Sequence, residues 1–287
     1  MIYLNINYEI KYIANMQKTG LSRNTIDKYY TNDSTVILCM NTLKNHVIID
    51  DDDIIIEPSA GNGAFIDAIK KVSKNSMFLD IAPEHSEIVK EDFLTFNTDI
   101  KSKFSKVHTI GNPPFGRQSS TAIKFIKHAC TFSNTIGFIL PKSFKKDSLK
   151  KHFDMSFHLI HELDIPDNSF IVDNNAYNVP CVFQIWVKKD IERERIKKLE
   201  SNGYTFVKKK EKPDMSFRRV GIHAGKIDRD IEDKSEQSHY FIKFNSKIND
   251  ETYTNMKNIE WTCKNNTTGP RSISKQELIL EFNKLFR

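Results

Sequence analysis

The feature that most restricts this 287-residue chain lies at residues 54–66, where three consecutive isoleucines, Ile54-Ile55-Ile56, run directly into Glu57-Pro58-Ser59-Ala60-Gly61-Asn62-Gly63. An unbroken β-branched run reads as a strand buried on both faces. After the glycines, Phe65, Ile66, Ala68, Ile69 and Val72 recur at helical spacing. Strand, glycine turn and helix together open a βαβ unit, which calls for a parallel sheet with helices on both sides.

Later segments repeat the pattern. Met77–Asp80 and Val107–Ile110 are short apolar strands. Thr121–Ala129 reads as a helix capped by Ser119 or Ser120, and Thr135–Leu140 is a strand stopped by Pro141. His158–Leu163 and Val179–Val187 are two more strands, joined by the polar loop 166–178 with no helix, which points to an antiparallel pair at the sheet's end. Before the first strand, residues 24–46 carry helical spacing. Asp33-Ser34 offers a second helix start inside them, which would leave Tyr29-Tyr30-Thr31 as a loop. The expected fold is therefore a doubly wound α/β sheet. Strands at 207–212, 217–220 and 239–244 and a helix at 274–286 suggest a small α+β appendage, giving residues 1–190 and 191–287 as the two parts.

Charge divides the chain in a similar way. Residues 1–187 hold 20 Lys+Arg against 21 Asp+Glu, whereas residues 188–287 hold 23 against 16. A near-neutral body with a basic end favours a polyanion partner such as nucleic acid, set against the plainer reading of a solvated helix face. Cys39, Cys130, Cys181 and Cys263 are scattered and read as reduced thiols, and the dispersed histidines give no metal site. No apolar run approaches the roughly 20 residues of a membrane span. Met1–Asn7 lacks both the basic start and the apolar stretch of a signal peptide, so a soluble, intracellular setting is expected.

Two segments carry chemistry. Gly61 and Gly63 let the backbone turn tightly ahead of a helix whose free N–H groups face a ligand. Asp80 follows Gly63 by 17 residues at the end of the next strand, placed to take the ribose hydroxyls of an adenosine-containing cofactor. The full Gly-x-Gly-x-x-Gly spacing is missing, which disfavours a dinucleotide. The second segment is Gly111-Asn112-Pro113-Pro114-Phe115-Gly116. By itself it could be an ordinary turn. Its amide, two prolines and aromatic ring also make a rigid, hydrogen-bond-accepting, flat-faced pocket for a planar amino group.

Taken in this order, the two segments resemble the S-adenosylmethionine (SAM)-dependent amino-methyltransferases that act on adenine N6, with the cofactor motifs ahead of Asn-Pro-Pro-Phe as in the gamma-type arrangement. The likeness covers roughly residues 25–188. It implies a Rossmann-like methyltransferase sheet, mostly parallel, with one antiparallel strand near the end. It implies SAM as cofactor, held by Glu57, Pro58, Ser59, Gly61, Gly63 and Phe65, by Asp80 with Ile81, by Asp92 with Phe93, by Tyr30 and Thr31, and by Asn112. Asn112, Pro113, Pro114 and Phe115 would be the catalytic residues, with Phe115 stacking on a flipped base. A second aromatic is expected opposite, with Phe170 the candidate and Tyr177 the reserve. Arg117, Arg218 and Arg219 are candidates for substrate phosphates.

The implied reaction is methylation of adenine N6 in nucleic acid. DNA is narrowly favoured, although about a hundred residues after the core leave little room for multi-base DNA recognition. RNA, with recognition of shape and unpaired bases, is the alternative. Methylation of a protein glutamine amide and a catalytically silent binding subunit are weaker readings. The basic C-terminal third argues against the first, and the intact motif residues against the second.

Overall fold

The computed structural model describes residues 29–286, so the expectations for Met1–Asn7 and for a helix beginning at residue 24 lie outside the described residues. Tyr30–Thr31 forms a two-residue strand, β1, and Asp33–His46 forms helix α1. The cap is Asn32 rather than Asp33-Ser34. Its side-chain oxygen accepts from the Thr35 N–H at 2.9 Å, satisfying one of the donors a helix start leaves unpaired.

The chain continues through β2 (Ile54–Glu57), α2 (Ile66–Lys70), β3 (Asn75–Asp80), β4 (Val89–Lys90), β5 (Val107–Gly111), α3 (Ser120–Phe132), β6 (Thr135–Pro141), α4 (Asp147–Lys150), β7 (Phe157–Asp164), β8 (Phe170–Val172), β9 (Asn175–Tyr177) and β10 (Cys181–Lys188). Seven strands make one sheet in the order β4-β3-β2-β5-β6-β10-β7. All pairs from β4 to β6 are parallel, and β10 runs antiparallel to both of its neighbours. Strand order moves outward from β2 through β3 to β4, then restarts on the other side of β2 with β5 and β6. That reversal is the mark of a doubly wound, Rossmann-like sheet, and it leaves a crevice at the carboxyl ends of β2 and β5.

Side-chain alternation explains why both faces are covered. Ile54 and Ile56 enter a cluster with Leu79, Phe93, Phe125 and Ile126, under α3. Ile55 enters the opposite cluster with Val36, Leu43, Phe65 and Ile69, under α1 and α2. Each buried isoleucine is worth roughly 2 kcal/mol, and a one-residue slip of β2 would swap the two faces, so the triplet fixes its register. Ser119 occupies the cap position of α3 in a left-handed conformation, but its side chain makes no cap hydrogen bond, contrary to expectation.

The 166–178 connection is more structured than the plain loop expected. It contains the hairpin β8–β9, and β8 pairs with β1 through Tyr30↔Ile171 and Thr31↔Phe170. This ties the segment before α1 to the connection between β7 and β10.

Beyond β10 lie β11 (Tyr204–Val207), β12 (Met215–Arg218), β13 (Ile227–Asp228), β14 (His239–Phe244), α5 (Asp250–Lys257) and α6 (Lys275–Phe282). The strands form an antiparallel sheet ordered β11-β14-β12-β13, over a core that includes Tyr204, Phe217, Ile242, Met256, Trp261 and Phe282. The expected strand at 207–212 ends at Val207, because Lys209–Glu211 turns into a single 3-10 turn. The strand expected at 217–220 lies at Met215–Arg218. The last helix is shorter than expected and starts with a capping box between Ser274 and Glu277. Lys146, just ahead of α4, reaches this lobe. Its Nζ donates to the Ser272 carbonyl at 2.8 Å and pairs with Glu277 at 3.2 Å.

Candidate active site

The turn after β2 is shaped by backbone bonds into the neighbouring strand. Ala60 N–H donates to the Leu79 carbonyl at 2.9 Å, and Gly61 N–H donates to Asp80 Oδ2 at 2.8 Å. Gly61 and Gly63 hold φ values of +53° and +88°, the left-handed region that glycine enters without strain. A Cβ on Gly63 would stand 2.8 Å from Ile66 Cδ1, so a side chain there would push the helix away. Asp80 Oδ1 also accepts the Ala82 N–H at 2.8 Å. Each carboxylate oxygen keeps a second lone-pair direction for a hydroxyl donor. Ile81, the next residue, is 68% exposed, an apolar side chain standing free beside the carboxylate.

Glu57 lies at the end of β2 and is only 2% exposed. Burial, reinforced by the Asp80 carboxylate, pushes its pKa up to about 8, so it is mostly protonated at neutral pH. Its Oε2 is buried without a hydrogen-bond partner.

The loop after β5 supplies the other half. Asn112 Nδ2 donates to the Tyr29 carbonyl and to Thr31 Oγ1, both at 3.2 Å. A backbone carbonyl only accepts, so this arrangement fixes which end of the amide is nitrogen. Asn112 Oδ1 is left buried and without a partner. Ser59 Oγ donates to the Asn112 carbonyl at 3.1 Å, tying the glycine turn to this loop. Pro113 is buried, and Phe115 is half-buried against the α1–α2 core. The Phe115 carbonyl accepts from Thr121 N–H at 3.2 Å and Ala122 N–H at 3.3 Å, which anchors the loop to the start of α3. Gly116 has φ +67°, and a Cβ there would fall 2.2 Å from Thr121 Oγ1.

Tyr30 and Thr31 close the crevice from the third side. The Tyr30 ring lies against Gly61, whose added Cβ would be 3.4 Å from Tyr30 Cε1. Tyr30 OH donates to Glu84 at 2.7 Å, and Glu84 N–H returns to the Gly61 carbonyl at 3.0 Å. Sequence reasoning did not single out Glu84, which sits in an unpatterned turn, nor the backbone role of Tyr29, which leaves no local signal.

Several expected residues are placed differently. Phe170 is 1% exposed and packed within the α1–α2 core, so its ring has no face open to a base. Burial of β8 against β1 is the cause, and Phe170 serves as an anchor. Tyr177, the reserve, is 46% exposed, and its ring stands 5.6 Å from that of Tyr29. Phe93 is buried against Phe125, His128 and Phe132 on the α3 side of the sheet, so its ring is committed to that core. Phe65 is likewise wholly within the α1–α2 core. Asp92 is exposed, and its Oδ1 caps the turn at Leu94. Arg117 is exposed just past Gly116. Arg218 Nε donates to the Val220 carbonyl at 2.8 Å, and Arg219 donates to the Gln237 carbonyl at 2.7 Å with its guanidinium over Tyr240. Both arginines hold turns of the C-terminal lobe.

Among the described residues, no group of three or more His, Cys, Asp or Glu is placed to hold a metal ion, and no helix is long and apolar enough to cross a membrane.

No family model matches the chain, and no curated protein matches it. Similar solved structures include a candidate RNA methyltransferase from Pyrococcus horikoshii, at 16% identity over 61% of this chain and 95% of that one, with a TM-score of 0.42. A candidate class I SAM-dependent methyltransferase from Listeria monocytogenes is similar at 14% identity over 63% of this chain and 66% of that one, TM-score 0.43. A type I restriction-modification methyltransferase subunit from Streptococcus thermophilus is similar at 14% identity over 57% of this chain and 45% of that one, TM-score 0.41. The functional reading that follows rests on the chain's own residues.

Proposed function

We propose that this chain transfers the methyl group of S-adenosylmethionine to the N6 amino group of adenine in a nucleic acid. The observation that carries the reading is Asn112: its amide nitrogen is tied down by two acceptors while its oxygen is buried and unpaired. A buried acceptor without a partner costs about 1–3 kcal/mol, and an incoming N–H donor removes that cost. An exocyclic amine brings such a donor.

The residues present fit the cofactor. The Gly61–Gly63 turn leaves space that side chains would fill, Asp80 offers acceptor positions for two hydroxyls, and Ile81 offers an apolar face. When bound, SAM supplies an electrophilic sulfonium methyl. The chain's own residues prepare the amine. The adenine amino nitrogen is a poor nucleophile because its lone pair is delocalised into the ring. Asn112 Oδ1 accepting one N–H and the Pro113 carbonyl accepting the other draw the nitrogen toward tetrahedral geometry and localise the lone pair. With SAM bound, that lone pair would take the methyl carbon as the methyl–sulfur bond broke and its electron pair returned to sulfur, and the surplus amino proton would leave to water. Pre-set acceptors aimed at a developing positive charge supply most of the advantage, together with orientation. Phe115, stiffened by Pro113-Pro114, offers its ring to a base taken out of its stack. Tyr177, exposed and beside Tyr29, takes the opposing place first assigned to Phe170.

The neutral Glu57 belongs to the same site. Beside Asp80, a second charged carboxylate would repel the first, and protonation removes that conflict.

Incubation with methyl-labelled SAM and, separately, DNA, RNA and a protein lysate, with nuclease controls, tests the reading. Label in N6-methyladenine of DNA or RNA is the expected result, with DNA the first substrate to try. Label in protein that survives nuclease would refute it.

A further inference from the structure

Away from the Asn112 crevice, the C-terminal lobe holds a cavity of about 360 Å³. It lies between the turn from Ile222 to Ile227, the end of α5 and the turn from Trp261 to Lys264. Three lysines distant in sequence, Lys226, Lys257 and Lys264, line it together with His223, and no carboxylate does. Among the described residues none of the three lysines forms an ion pair. Asp228, two residues from Lys226, gives its carboxylate to Lys234 at 3.0 Å instead.

Trp261 is 4% exposed, and its indole N–H is a buried donor without an acceptor. The wall beside it depends on a glycine. Gly225 has φ +99°, and a Cβ there would stand 2.5 Å from Trp261 Cδ1 and 3.1 Å from Nε1. The turn therefore closes onto the indole only without a side chain. Three lysines with no carboxylate among them make this a cationic lining, and the ligand chemistry that matches it is an anion bearing several acceptor oxygens.

We propose that this cavity binds a phosphate of the nucleic-acid substrate, as an anchor separate from the site that holds the target base. The inference rests on the nucleic-acid reading given above. A phosphodiester presents charge that the lining lysines can meet, and the cavity leaves room for the attached sugar. It also accounts for part of the basic C-terminal third, in which residues 188–287 carry 23 Lys+Arg against 16 Asp+Glu. Arg218 and Arg219, which the sequence offered alongside Arg117 as candidates for substrate phosphates, are engaged by carbonyls of their own lobe.

The test is fluorescence anisotropy of a labelled single-stranded oligonucleotide, titrated at several salt concentrations with the full chain and with the triple variant Lys226→Gln/Lys257→Gln/Lys264→Gln. Calorimetry with SAM on both proteins runs alongside. The expected result is at least a fivefold loss of oligonucleotide affinity in the variant at low salt. The slope of log affinity against log salt should be shallower by about 0.7, the contribution of one phosphate on a single strand. SAM affinity should be unchanged. Equal affinity and slope in the two proteins overturn the anchor and leave the nucleic-acid reading standing. No oligonucleotide binding by the wild type, with SAM binding intact, overturns both. Inorganic phosphate provides the other arm. If it changes tryptophan emission at millimolar concentration while oligonucleotide does not, the cavity is a free-anion site and the proposal fails.

Discussion

Asn112 Nδ2 stands 3.2 Å from Thr31 Oγ1, joining the loop after β5 to the two-residue strand that precedes α1. Eighty-one positions separate the two residues, and pairing of β1 with β8 holds the threonine in reach. Thr31→Val keeps the shape and removes the acceptor. The amide then relies on the Tyr29 carbonyl alone and gains freedom to rotate. We expect the methyl-transfer rate to fall about tenfold, the order set by one lost orienting hydrogen bond, with cofactor affinity within about twofold. Rapid-quench transfer assays paired with calorimetry measure both quantities.

Glu57 predicts a pH dependence of stability. Its folded pKa of about 8 lies above the ordinary 4.5, so between those values the folded state holds a proton that the unfolded state has released. Stability therefore falls as pH rises from about 4.5 to about 8 and levels off beyond. Glu57→Gln mimics the protonated form and should flatten that slope, gaining on the order of 4 kcal/mol at pH 8 and almost nothing at pH 4. Urea unfolding at a series of pH values decides the point; a variant curve parallel to wild type contradicts it.

Phe170 and Tyr177 divide along anchoring and recognition. Phe170→Ala empties a fully buried position in the α1–α2 core and should cost about 3–5 kcal/mol. Tyr177→Ala removes a half-exposed ring and should leave stability within about 0.5 kcal/mol. Substrate affinity should weaken by about 1–3 kcal/mol, the worth of one base stacked on an aromatic ring. Denaturant curves and oligonucleotide titrations separate the two effects.

Gly116 requires a conformation that alanine enters only with strain, and its Cβ would also meet Thr121 Oγ1 at 2.2 Å. Gly116→Ala should cost about 1–3 kcal/mol and displace Phe115, whose carbonyl is bound to the same helix start. Transfer activity should fall further than thermal stability does.

Lys146 joins the two lobes, with its Nζ partly buried between Ser272 and Glu277. Lys146→Met should lower stability by about 1 kcal/mol, since Glu277 keeps its bond to the Ser274 N–H. Limited proteolysis should then begin in the connection at 189–203.

Much of the fold was legible because its signals are local. Ile54-Ile55-Ile56, the glycines after them and the strand ending at Asp80 each state their conformation within a few residues, and their alternation implies the doubly wound sheet. Asn112-Pro113-Pro114-Phe115 was legible as a turn at the end of a strand. Its tie to Tyr29 and Thr31 was not, since a bond spanning 81 and 83 positions leaves no periodic trace. Phe170 was misassigned because an aromatic in a polar loop reads as exposed. The hairpin that buries it comes from pairing with β1, a strand of only two residues. Helix α5 escaped notice because Met256 is its one buried side chain, so it carries almost no apolar stripe. The cavity lined by Lys226, Lys257 and Lys264 draws these lysines from three separate segments, and only folding brings them together.

The most direct measurement is transfer of labelled methyl from SAM to an adenine-containing oligonucleotide by Asn112→Ala, with cofactor affinity determined on the same preparation. The account predicts transfer reduced by at least a hundredfold, the scale of losing one pre-set electrostatic contact at the reacting group, and cofactor affinity within a few-fold of wild type. Transfer at the wild-type rate with the Asn112 amide gone would contradict it.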